Sequence, residues 1–194
     1  MPSLSADGRY VVAGSPVPYD RATNSFVVVP GGTPAGATIS FVDSISSDGR
    51  YVFFTSATPL GSGSPASCSP TVCVYRQDVA DGNISFIHVG QVGVRSADGN
   101  VVAYLEGSGD VYVKNFYANT TYLLIDHSFW QNTASDIYGL SADGLALGVM
   151  TSALSDFTQA YVTSGSRPVA DTTPPTLGMH LWVNNPKHSP KLPV

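Results

Sequence analysis

The chain has 194 residues and a mass of 20.3 kDa, long enough for one domain that buries roughly 70% of its unfolded surface without a metal or disulfide staple. Only 12% of its residues are charged, the formal net charge is −5, and no run of Lys or Arg occurs, so a groove that neutralises several phosphates is not expected and nucleic acid is set aside as a partner. No stretch approaches the ~20 apolar residues of a membrane span, so no membrane insertion is expected, and the start Met-Pro-Ser-Leu-Ser lacks the basic and apolar regions of a signal peptide. The single glutamate, the few lysines and the 19 glycines and 14 prolines disfavour helices, while plentiful Val, Tyr, Thr and Phe favour strands; the fold class is all-β.

Taken in chain order, one block recurs four times. Leu4-Ser5-Ala6-Asp7-Gly8-Arg9-Tyr10-Val11-Val12 is followed by Ile45-Ser46-Ser47-Asp48-Gly49-Arg50-Tyr51-Val52-Phe53. The third and fourth copies begin at Val94-Arg95-Ser96-Ala97-Asp98-Gly99 and Leu140-Ser141-Ala142-Asp143-Gly144. The serines are separated by 41, 50 and 45 residues, close to the spacing of propeller blades. Each block has hairpin chemistry: Gly supplies a positive φ, Asp bonds its neighbouring backbone, and β-forming residues flank the pair. The residues predicted to turn are therefore Asp7, Gly8, Asp48, Gly49, Asp98, Gly99, Asp143 and Gly144. A third strand is expected at Phe26–Val29, Val72–Tyr75, Val111–Val113 and Ala160–Val162, and a fourth at Ile84–Ile87 and Thr121–Ile125, each after a turn. Four strands per unit make a blade, with blades starting near residues 2, 41, 91 and 136 and the repeats filling 1–163.

The block Ser-x-Asp-Gly-Arg-Tyr-Val, with the Thr-Ser-Ala-x-x-Leu that follows it in the second copy, resembles the TolB-like (WD-repeat-like) β-propeller repeats of bacteria. Residues 45–89 match best, and the resemblance covers roughly 2–163. It implies four-stranded antiparallel blades around a central channel, and little about activity, because such repeats serve scaffolds, surface proteins and accessory domains of peptidases. The Asp/Asn-rich loop common after the second strand in that family is reduced here to Asp20 and Asn24 in the first copy and Asp156 in the fourth, so no calcium site, metal or cofactor is expected.

Cys68 and Cys73 lie five apart in a Gly/Ser/Pro-rich insert of the second copy, and an intrachain disulfide is expected rather than two free thiols. With the low charge, this pair points to an extracellular or periplasmic compartment. No catalytic motif stands out. Gly61-Ser62-Gly63-Ser64 lacks the strand-to-helix setting of a nucleophile elbow. His88, His127, His180 and His188 have no metal-ligand spacing, and Glu106 belongs to a tight turn. Asn83 and Asn119 fit the glycosylation sequon, both at turns that favour Asn in any case.

Residues 164–176 read as a Pro-stiffened linker and 177–194 as a strand-like tail centred on Leu177, His180, Leu181, Trp182 and Val183. Two placements are open for it: the missing outer strand of its own fourth blade, or a strand donated to another subunit or surface protein. The expected function is a non-enzymatic extracellular propeller module acting through protein–protein contacts, as a self-assembling subunit of a surface filament or layer. The alternatives are an enzyme or accessory propeller working on glycans or peptides at the channel mouth, and a TolB-like periplasmic scaffold.

Overall fold

The computed structural model describes residues 2–31, 37–61, 63–107, 109–126, 133–141, 144, 146–152, 158–164 and 178–181. All regular structure among them is β. The first sheet joins β1 (Ser3–Leu4), β2 (Tyr10–Val12), β3 (Tyr19–Asp20) and β4 (Ser25–Phe26); the second joins β5 (Ile39–Ile45), β6 (Tyr51–Ser56), β7 (Cys73–Asp78) and β8 (Ile84–Val89). The third joins β9 (Val94–Arg95), β10 (Val101–Leu105), β11 (Val111–Asn115) and β12 (Thr120–Ile125); the fourth joins β13 (Thr133–Leu140), β14 (Ala146–Ser152), β15 (Thr158–Ser164) and β16 (Gly178–Leu181). Every sheet is an antiparallel meander in sequence order, which is the construction of a propeller blade.

Side-chain alternation along each central strand sends one set of residues toward the preceding blade and the other toward the following one. Val52, Phe54 and Tyr75 pack back on Val12 of the first sheet, while Tyr51, Phe53 and Val74 pack forward on Val102 and Tyr104 of the third. Val101, Ala103, Val111 and Val113 pack forward in turn on Leu147 of the fourth. The core is thus three slabs between successive blades, and among the described residues no such cluster joins the fourth sheet to the first. Side chains fully buried in these slabs, such as Phe53 and Val52, contribute roughly 1.5–3 kcal/mol each. Arg76 stitches the second and third blades: its guanidinium lies between the rings of Tyr51 (4.1 Å) and Phe116 (3.5 Å) and donates to the Gly99 carbonyl.

The first blade differs from expectation. Its third strand is Tyr19–Asp20, and Phe26 belongs to the fourth strand, not the third. Asp20 and Asn24 accordingly sit in the turn between the third and fourth strands instead of the loop after the second. Asp20 is held there by Arg9, whose Nη2 lies 2.7 Å from its Oδ2, and Asn24 makes the turn with φ +54°. Arg50 and Asp78 repeat the ion pair in the second blade. At the other end, β16 pairs antiparallel with β15, Leu181 opposite Tyr161, so this part of the tail forms the outer edge of its own fourth sheet. Leu177, Trp182, Val183 and nearly all of the linker, from 165 on, lie outside the described residues.

Candidate functional site

The repeated turns form one rim of the molecule. In three copies a serine hydroxyl donates to the aspartate two residues on: Ser5 to Asp7, Ser46 to Asp48 and Ser96 to Asp98, each at 2.6 Å. The same carboxylate oxygen accepts the backbone N–H of Arg9, Arg50 or Asn100. The glycines after them take φ of +69°, +77°, +71° and, at Gly144, +75°; Asp143 lies outside the described residues. These carboxylates are spent on turn formation. Asp98 is half-buried, which opposes its charge, yet hydrogen bonds from Ser96 and Tyr117 hold its pKa at about 2.

The turns are also joined to one another. Ala6 N–H donates to the Ser47 carbonyl (2.9 Å), and Ser47 N–H to the Ala97 carbonyl (2.7 Å), in a ladder that runs from blade to blade.

Next to the rim, Asp43, Ile45 and Ser46 of the second blade, Val94 and Arg95 of the third and Leu140 of the fourth line a cavity of about 470 Å³. Arg95 and Asp43 pair across it at 2.8 Å. Burial pulls the Arg95 guanidinium below its ordinary pKa, and Asp43 partly offsets this.

A second cavity, about 520 Å³, opens between Pro65, His88, Tyr104 and Glu106. His88 is a packing residue: its ring stacks on Tyr104 at 4.1 Å, and its two nitrogens face the carbonyls of Val89 and Gln91. Burial lowers its pKa, and burial raises that of Tyr104 to about 12. Glu106 is exposed in the turn between β10 and β11, where its N–H donates to the Asp110 carbonyl. Among the described residues, no group of three or more His, Cys, Asp or Glu side chains is close enough to share a metal ion.

Cys68 and Cys73 form a disulfide, and both are fully buried against the second blade. Asn83 and Asn119 are exposed at turns, Asn119 with φ +51° and Asn83 donating its side-chain amide to Asp81. His127 and His188 lie outside the described residues, and His180 is in β16 opposite Val162.

The feature that sequence reasoning missed is a partly uncovered sheet face, with Leu4 and Phe26 exposed and Val11 and Tyr19 half-buried between them. Register places Leu4, Val11, Tyr19 and Phe26 in one row across the first sheet. The matching row of the second sheet is Ile45, Val52, Gln77 and Ile84, which faces the preceding blade. Leu4 is 57% exposed and Phe26 65%, whereas Ile45 is 5% exposed and Val52 and Gln77 fully buried. Tyr19 and Phe26 stack edge to face, 5.4 Å apart, on this open surface.

No protein-family model and no curated protein sequence matches the chain. Solved structures do. A TolB protein of Agrobacterium tumefaciens is 16% identical, with a TM-score of 0.53 over 84% of this chain and 57% of that one. An oligogalacturonate lyase solved in complex with manganese is 17% identical, with a TM-score of 0.56 over 88% of this chain and 50% of that one. TolB from Acinetobacter baumannii is 15% identical, with a TM-score of 0.47 over 93% of this chain and 43% of that one. The chain therefore spans about half the length of the solved structures it matches. With four-stranded meanders stacked slab by slab around Asp-Gly turns, its fold is that of the TolB-like β-propellers.

Proposed function

We propose that the chain is a non-enzymatic propeller module that binds another polypeptide through the open face of its first blade, outside the reducing cytosol. One observation carries the reading: Leu4 and Phe26 are 57% and 65% exposed at repeat positions that the second blade buries or half-buries against a neighbour. An apolar row of this kind marks an interaction surface on a soluble domain. The Cys68–Cys73 disulfide supports an extracellular or periplasmic setting. Because β16 completes its own sheet, the proposed contact moves from the tail to the first blade. A role as a scaffold, or as a repeating subunit of a surface layer, would use the same face.

A photo-crosslinking residue placed at position 26 tests it, with position 123 as control, since Leu123 is also exposed but on β12. Adducts to a polypeptide from position 26 and none from 123 are expected. No adduct from position 26, or equal adducts from both, would falsify the reading.

A further inference from the structure

We infer that the cavity between Asp43 and Arg95 is a binding site for a small zwitterion, an α-amino acid with an apolar side chain, held by its carboxylate on Arg95 and by its ammonium on Asp43. This site is separate from the open face of the first blade. It lies where β5, β9 and β13, the first strands of the second, third and fourth blades, run into the turns that follow them. Its volume of about 470 Å³ falls within the range of small-molecule sites, roughly 300–1,000 Å³.

Two other arginines show how this chain uses a guanidinium for structure alone. Arg9 gives both Nε and Nη2 to Asp20, and Arg50 gives both to Asp78, each within its own blade. A guanidinium that meets a carboxylate through Nε and Nη2 has spent the flat fork by which arginine grips such a group. Arg95 has not. It meets an aspartate of a different blade, and among the described residues it makes one hydrogen bond, from Nη1 to Asp43 Oδ2 at 2.8 Å. The fork of Nε and Nη2 is left over. Asp43 likewise gathers its bonds on one oxygen, because Oδ2 accepts both Arg95 and the Ser44 hydroxyl, and Oδ1 is left over. Both side chains are half-buried in the cavity wall, where the unspent groups have less water to bond than they would on an open surface.

The unspent groups are opposite in charge and belong to neighbouring side chains, as the two charges of an α-amino acid sit on one carbon. A simple carboxylate would answer Arg95 but face Asp43 as a like charge, and a simple amine would answer Asp43 but face the guanidinium. A zwitterion answers both. Val94, Ala97 and Leu140, apolar and half-buried, line the same cavity and suit an apolar side chain on the ligand. Ser47 lines it too, and its hydroxyl makes no hydrogen bond among the described residues, which gives the ligand carboxylate a further donor.

Titration calorimetry on the purified chain tests the site, with circular dichroism as the folding control and three probes: L-leucine, isovalerate, which lacks the ammonium, and isoamylamine, which lacks the carboxylate. L-Leucine is expected to bind saturably at one site per chain. Each of the other two should bind at least about tenfold more weakly, through the loss of one charge-assisted pairing. Arg95→Gln should abolish L-leucine binding, and Asp43→Asn should weaken it by at least about tenfold. Both substitutions also cut the link between the second and third blades, so Ser47→Phe provides a second route: it fills the cavity, leaves the ion pair in place and should abolish binding with the dichroism spectrum unchanged. No saturable L-leucine binding by the folded wild type up to about 10 mM overturns the inference and leaves Asp43 and Arg95 a structural pair. L-Leucine binding that survives in folded Arg95→Gln or in Ser47→Phe places the ligand elsewhere and overturns it as well. Isovalerate bound as tightly as L-leucine removes Asp43 from the site, and the amino-acid assignment falls with it.

Discussion

The first and second blades share the block Ser-x-Asp-Gly-Arg-Tyr-Val, the same serine-to-aspartate turn and the same arginine-to-aspartate ion pair, yet they live in different surroundings. The second is enclosed on both sides; the first is enclosed on one. Local structure in this chain is therefore set within each repeat, whereas burial is set by the neighbour. Equivalent residues thus carry different weights in stability, and two pairs of substitutions measure the difference.

The largest expected effect is at the rim. Gly49→Val has to accept a positive φ and displace Tyr10, so it should lose about 3–5 kcal/mol, combining left-handed strain with overpacking. Gly8→Val faces a similar φ, with only an ordinary contact to the Arg21 side chain, and should lose about 1–2 kcal/mol. Urea unfolding of both variants reads the contrast, and equal losses would show that the Tyr10 contact carries no weight. Asp48→Ala, which removes a local turn bond, should fall near 1 kcal/mol.

Next comes the matched row. Ile45→Ala empties a core position and should destabilise by about 2–5 kcal/mol. Leu4→Ala should stay within about 0.5 kcal/mol. A Leu4→Ala loss as large as that of Ile45→Ala would mean that the first blade is covered within its own chain.

The smallest effect is electrostatic. The Arg9 guanidinium holds Asp20 at about 2, below the ordinary carboxylate value near 3.8, and Asp98 is held at about 2 by its hydrogen bonds against the opposing effect of burial. A carboxylate with a depressed folded-state pKa stabilises the fold above its unfolded pKa and loses that contribution as pH falls through the folded value. The thermal midpoint should therefore drop between about pH 4 and pH 2, less steeply in Asp20→Asn and in Asp98→Asn than in the wild type. Slopes that match the wild type would place the acid sensitivity elsewhere.

The repeat was legible because turn chemistry is local: Ser, Asp and Gly within five residues carry their own hydrogen bonds wherever they stand. The third strand of the first blade was not. Its two residues, Tyr19 and Asp20, are too few to show an alternation, and the apolar run Phe26–Val29 looked more strand-like. The signal that could have found it is Asp20 itself, which partners the repeat arginine as Asp78 does. The intervals differ, 11 residues in one blade and 28 in the other, because the disulfide-closed insert lengthens the second. The open face left no trace in sequence, since a leucine or phenylalanine looks the same whether or not a neighbour covers it.

The rim ladder gives the molecule an internal clock. The amides of Ala6 and Ser47 lie in turns, where protons usually trade with water quickly, but each is held by the carbonyl of the next blade. Unravelling one strand does not free them; one blade has to lift from its neighbour. Their isotope exchange therefore reports, besides opening of the turns themselves, on the two seams that join the first three blades.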